Sequence, residues 1–215
     1  MRWLVCACLA MATAAAQELD VQKLVEELHP NNDRMKKMRV AEMVRELGIH
    51  AGSRVADVGC GTGEFSLVLA KVVGPAGLVT CVDVDPLNEA RRNFKKHGVK
   101  VATVRGSGDD PRLAPGSFDA VLIVNAYHEM EEIEAMLRHI REALKPTGRL
   151  VICDNTPQRT ATRAREAQMK NHVIAESLAA ADLEAAGFKI LKRDSEFVDD
   201  PDSESQHWLI VASKP

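Results

Sequence analysis

Neither sign of charge dominates this chain. Its 28 Lys and Arg residues stand against 31 Asp and Glu, a formal net charge of −3, and the basic ones are dispersed instead of gathered into a stripe. Nucleic-acid binding draws on clustered Lys and Arg, so no nucleic-acid partner is expected. No apolar run approaches the ~20 residues that a membrane-spanning helix needs, and no internal repeat or low-complexity tract appears. Cysteine is sparse, and Cys81 and Cys153 fall inside apolar runs where a lone thiol behaves as a small hydrophobe, so no disulfide framework is expected. A Gly-Lys-Ser/Thr sequence is missing, which excludes a P-loop. The seven histidines are scattered, and His128-Glu129 lacks the second histidine of a zinc-protease helix, so no metal-ligand set is assigned.

What is present fits one α/β domain: 215 residues, 46% apolar and 27% charged, are enough for a full hydrophobic core. Residues 1–16 differ in composition. Arg2 is their only charge, the stretch from Trp3 to Met11 is apolar, and Ala14-Ala15-Ala16 before Gln17 fits a small-residue cleavage site. Residues 1–16 are therefore expected to be a signal peptide, and 17–215 the exported domain, periplasmic or secreted, with no membrane contact after cleavage. An uncleaved hydrophobic extension on a cytoplasmic protein is the alternative. Cleavage would leave Cys60, Cys81 and Cys153, which cannot all pair.

The spacing of apolar residues predicts leading helices over 20–28 and 34–47, within a leading segment 17–50. Their methionines (Met35, Met38, Met43) read as core filling. Strands follow at 53–58, 78–83, 99–104, 118–124 and 149–153, with helices between most of them, one at 64–73 and another begun near Glu131 and closed by Lys145-Pro146-Thr147-Gly148. That alternation predicts a parallel sheet. In the segment 156–215, a long tail helix over 160–186 leads to strands at 188–197 and 207–213, which form a hairpin because no helix separates them.

The most informative run is Asp57-Val58-Gly59-Cys60-Gly61-Thr62-Gly63-Glu64-Phe65, set between the first strand and a helix. A dinucleotide fingerprint needs Gly-x-Gly-x-x-Gly, and Glu64 or Ser66 stands where either frame requires the third glycine. Acid-x-Gly-x-Gly-x-Gly instead resembles motif I of class I S-adenosylmethionine (SAM) dependent methyltransferases, of the domain type 11/25. That resemblance implies a Rossmann-like seven-stranded sheet in the order 3-2-1-4-5-7-6, strand 7 antiparallel, and SAM as cofactor, with the cofactor-binding core at 51–155.

It also implies a set of contacts. Gly59, Cys60, Gly61 and Gly63 would bring loop amides to the methionine carboxylate, with Asp57 facing the cationic amino end. Asp83, 24 residues after Gly59, would take both ribose hydroxyls, with Val84 against the adenine face. Ser107, Gly108 and Asp109 occupy the adenine-reading position, though Ser107 stands where an Asp is frequent. After the fourth strand, Asn125 would accept from the SAM amino group, Tyr127 would shape the pocket wall, and His128 is the candidate base because imidazole titrates near neutral pH. His172, in the expected tail helix, is a candidate to close the pocket. Asp154-Asn155, ending the fifth strand, resembles the magnesium-binding pair of catechol-type O-methyltransferases, with Asn125 in the third position.

The reading is a methyltransferase acting on a small-molecule acceptor through an O, N, S or C atom. A SAM-binding protein without turnover in the exported compartment, and a catechol-type metal-dependent enzyme, stand as alternatives. Glycine spacing and the terminal hairpin disfavour a nucleotide-dependent oxidoreductase.

Overall fold

The computed structural model describes residues 19–156, 162–199 and 206–215; the expected leader, 1–16, lies outside them. Three leading helices, α1 (Val21–Leu28), α2 (Asp33–Lys37) and α3 (Val40–Leu47), precede the sheet. Strands β1 (Arg54–Val58), β2 (Leu78–Asp83), β3 (Ala102–Arg105), β4 (Phe118–Val124) and β5 (Leu144–Thr156) follow, with α4 (Glu64–Val73), α5 (Asn88–Lys96) and α6 (Ile133–Ala143) between them. Two short helices, α7 (Arg165–Met169) and α8 (Glu176–Ala185), lead into β6 (Lys189–Asp199) and β7 (Gln206–Ser213).

The sheet runs β3-β2-β1-β4-β5-β7-β6, and β7 is antiparallel to both of its neighbours. This is the order the resemblance implied. Successive side chains of a strand point to opposite faces, and here both faces are covered. Ala56, Val121, Ile123, Leu150 and Ile152 pack toward α6 and α8, while Val55, Leu122, Val124, Val151 and Cys153 pack toward the leading helices and α4. Each large side chain so buried is worth about 1.5–3 kcal/mol relative to exposure. Met35, Met38 and Met43 lie in the second layer with almost no exposed surface, so the methionine stripe is core.

Three expected elements differ, each because tertiary contacts override local pattern. The helix expected over 34–47 breaks at Arg39, which is left-handed (φ 50°). The break lets Met38 and Val40 both reach the core while the Arg39 guanidinium lies over the Phe197 ring, 4.5 Å from its centroid. The tail helix expected over 160–186 is two short helices within the described residues, 160 and 161 lying outside them. Between the two, Ile174 donates its N–H to the Asn155 carbonyl of β5 (3.0 Å), and its own carbonyl accepts from Trp208 Nε1 (2.8 Å). These groups, at one end of the neighbouring strands β5 and β7, need partners, and the chain leaves helix to supply them. Finally, 144–148 belongs to β5, across a register shift opposite Phe118 and Ala120, instead of closing α6 as a turn.

Candidate active site

The glycine loop bridges the ends of β1 and β2. Gly59 and Cys60 both donate their N–H to the Val82 carbonyl, at 2.9 and 3.1 Å. Gly59 has φ 74°, and a Cβ there would lie 2.2 Å from Ala126 Cβ; Gly63 has φ 81°, and its Cβ would meet the Phe94 ring at 2.5 Å. At these two positions any side chain collides and the backbone is one that L residues disfavour. The first clash also shows how closely the loop approaches the turn after β4.

Cys60 is joined by a disulfide to Cys81 in the middle of β2, with Cα atoms 5.5 Å apart. This corrects the expectation that Cys81 is a lone hydrophobic thiol. Its cause is the fold of the loop: the amides of Gly59 and Cys60 turn back onto β2, which brings Cys60 over the residue next to Val82. Among the described residues Cys153 remains a free, buried thiol.

Asp83 stands at the exposed end of β2. One carboxylate oxygen accepts from Gly61 N–H (2.8 Å) and the other from Asp85 N–H (3.0 Å). A carboxylate has about four acceptor sites, so lone pairs remain for a ligand. Asp57, by contrast, is 2% exposed and accepts from Ser66 Oγ at 2.6 Å. Burial, with a smaller push from the Asp83 charge, raises its carboxyl to about 6. It lies beneath the loop and acts on the site through it.

A cavity of about 630 Å³ opens along this edge of the sheet. Gly59, Cys60 and Gly61 form one wall; Asp83 and the half-exposed Val84 form the next; Ser107 and Gly108 follow; Asn125, Ala126, Glu129 and Met130 close the far side. Arg34, from α2, also reaches it. Asp109 is not in the wall: its carboxylate accepts from Ser107 Oγ at 2.7 Å, a bond that holds it below its usual range. Asn125 is left-handed (φ 49°), and its Oδ1 is buried without a hydrogen-bond partner among the described residues. A buried acceptor of that kind is costly unless a ligand supplies a donor.

Beyond Asn125 comes a single 3-10 turn, Tyr127–Glu129. Tyr127 is fully buried, and its hydroxyl donates to Asp182 of α8 (2.8 Å), which also pairs with Arg165 (2.7 Å). Burial, then the Asp182 charge, pushes the phenol well up, so it stays neutral. Tyr127 is thus a core residue turned from the cavity, contrary to the wall role expected of it. His128 is 5% exposed and sits on β5: its Nδ1 contacts Asp154 Oδ1 at 2.9 Å and its N–H donates to Asp154 Oδ2 at 3.1 Å. Burial disfavours the charged imidazole, but the Asp154 hydrogen bond and charge outweigh it, and its pKa lies above the usual value.

Asp154 is fully buried and also accepts from Asn155 N–H (2.7 Å). Both of its oxygens are engaged by the 3-10 turn and its own strand, so its first role is to hold that turn on β5. Parallel pairing of Val124 with Cys153 is what sets the residues after β4 beside Asp154. Glu129 and His172 complete the corner, each within reach of the other: Glu129 Oε1 is 3.7 Å from His128 Nε2 and 3.7 Å from His172 Nδ1.

Residues 55–148 match the family model described as a methyltransferase domain. The matched segment holds the glycine loop, Asp83 and the turn after β4. Over residues 55–148 the chain is similar to a methyltransferase domain, in agreement with its sheet order. A demethylmenaquinone methyltransferase of Staphylococcus aureus (strain JH9) is 27% identical over 159 residues, 70% of this chain and 66% of that protein's length. In structure, the domain resembles a SAM-dependent methyltransferase from Aquifex aeolicus (TM-score 0.72, 23% identity, covering 89% of this chain and 97% of that one). It also resembles a possible exported protein from Bordetella parapertussis (TM-score 0.59, 23% identity, covering 82% and 67%). These two structural likenesses speak for the fold of the domain. Among the described residues no helix is long and apolar enough to cross a membrane.

Proposed function

We propose that the protein moves a methyl group from SAM to a small-molecule acceptor. The observation that carries this reading is the unpartnered Asn125 Oδ1, buried at the cavity edge 42 positions along the chain from Asp83, whose free lone pairs face the same space. One acceptor suits an ammonium group and the other a ribose diol, and the glycine-loop amides and the start of α4 between them suit a carboxylate. Val84 offers the adenine an apolar face, and Ser107 and Gly108 its edge. Bound there, SAM supplies a methyl carbon activated by positive sulfur. The residues of this chain then have to align an acceptor, exclude water and let the acceptor's proton leave. The acceptor's side of the cavity is that of Glu129 and Met130, backed by His128 and Asp154. Nothing in the net charge calls for a large polyanionic substrate.

A second reading is favoured by the Cys60–Cys81 disulfide. Such bonds persist in oxidising compartments, which agrees with a signal peptide at 1–16 and a periplasmic or secreted protein. SAM is made inside the cell, so an exported domain would bind it without regular turnover. Two measurements separate the readings: calorimetric titration of the purified protein with SAM and S-adenosylhomocysteine, and N-terminal sequencing of material from its natural compartment. Binding with release of S-adenosylhomocysteine in the presence of small acceptors supports the enzyme. Loss of the enzyme reading would follow from binding without turnover by an exported, trimmed protein, and loss of both from no binding at millimolar concentration.

A further inference from the structure

Three side chains outside the cofactor contacts converge on one point. His128 Nε2, a Glu129 carboxylate oxygen and His172 Nδ1 lie within 4.8 Å of one another, with Glu129 Oε1 3.7 Å from each ring nitrogen. Ligands about 2.0–2.2 Å from a tetrahedral ion are separated by roughly 3.4 Å, so these spacings need only small side-chain adjustments. The two imidazole rings are not stacked: they lie at 87° with centroids 5.8 Å apart.

The arrangement behind the cluster points the same way. Asp154, fully buried, holds His128 Nδ1 at 2.9 Å, so in the neutral ring that nitrogen carries the proton and Nε2 presents its lone pair. A carboxylate behind a histidine, fixing tautomer and ring orientation, is the usual support of a metal-ligating imidazole. His172 is held left-handed (φ 55°) at the end of α7, an uncommon backbone for a non-glycine residue, with its side chain exposed.

We propose that His128, Glu129 and His172 form a three-ligand site for a divalent first-row transition ion, zinc being the model case. Two imidazoles and one carboxylate suit zinc, cobalt or ferrous iron and disfavour magnesium and calcium, which take oxygen sets. Three protein ligands leave a coordination position open. Because Glu129 is also part of the cavity wall, that position lies on the acceptor's side, and the acceptor class it fits is a hydroxyl or other ionisable oxygen, whose proton is lost more readily on coordination. His128 then serves as a ligand and not as the free base that its sequence position suggests. The acceptor part of this inference rests on the methyl-transfer reading; the metal site does not.

The test uses the full chain after chelation, titrated with cobalt(II), whose visible absorption reports low-coordinate binding, and then with zinc in competition. One equivalent of each ion is expected. Glu129→Gln and His172→Asn should each weaken zinc by about 10-fold or more, and asparagine tolerates the left-handed backbone at position 172. His172 is exposed, so its variant keeps the fold even if a His128 variant does not. SAM affinity of His172→Asn should stay unchanged, whereas Asp83→Ala should lose SAM and keep zinc, so that failure of the metal site and failure of the cofactor reading are told apart. Absence of stoichiometric cobalt binding, or binding unchanged in His172→Asn, would overturn the proposal.

Discussion

Cys60, in the glycine loop, is covalently tied to Cys81, in the strand beneath it. The bond closes a segment with a sequence separation of 21 and limits how far the loop can lift from β2. Chain-entropy arguments put such a crosslink at about 3 kcal/mol. Reduction should lower the urea midpoint of unfolding and weaken SAM binding together. Identical denaturation curves with and without reductant would show that the two thiols are not joined in solution.

Asp57 makes stability fall as pH rises. Its folded-state carboxyl is raised by burial to about 6, whereas in the unfolded chain it titrates near 4. The folded protein therefore binds the extra proton in that window, and the contribution is fully present below the unfolded pKa and lost as pH climbs through the folded one. From about pH 5 to about pH 7 the wild type should lose about 1 kcal/mol more than Asp57→Asn does, which isolates this group from the carboxylates that titrate in the opposite sense. Urea melts of both proteins at the two pH values check this; parallel losses would mean that Asp57 is ionised throughout.

Asp83→Ala removes both the acceptor proposed for the ribose and the anchor of Gly61 N–H. Hydrogen bonds to a charged group are worth about 1.5–3 kcal/mol, so affinity for S-adenosylhomocysteine should drop about 10-fold to 100-fold. Calorimetry measures it directly, and an unchanged affinity would remove Asp83 from the cofactor site.

Gly59 and Gly61 should differ sharply. Both have positive φ, but a Cβ at Gly59 meets Ala126 Cβ at 2.2 Å while one at Gly61 meets nothing within 4 Å. Gly61→Ala should cost only the left-handed penalty, about 1–2 kcal/mol. Gly59→Ala should cost more and abolish SAM binding, and adding Ala126→Gly should restore part of both. Thermal melts and SAM titration of the three variants test the contact; equal effects of the two single changes would contradict it.

Much of this protein was readable along the chain, because period-two and helical patterns, turn residues and the glycine run are local features with local causes. Sheet order followed from the family resemblance, and Asp83, Val84 and Asn125 line the cavity as their places after the strands imply. Local pattern failed where distant groups had competing needs. Arg39 left helix to cover Phe197, and 170–175 left helix to satisfy Asn155 and Trp208. Tyr127 and His128 are neighbours in sequence, yet one hydroxyl turns inward to Asp182 and the other side chain turns to Asp154.

Residue types and spacings alone were enough to specify an α/β domain with a glycine loop between its first strand and helix, since a turn of that kind is made by adjacent residues. The Cys60–Cys81 bond and the His128–Glu129–His172 corner joined residues whose encounter depends on which strands lie side by side. Pairing of β1 with β2 brought the two cysteines together, and the hold of Ile174 on Asn155 of β5, the strand paired with β4, brought the segment of His172 to the turn after β4; such long-range adjacency leaves no periodic trace in the chain.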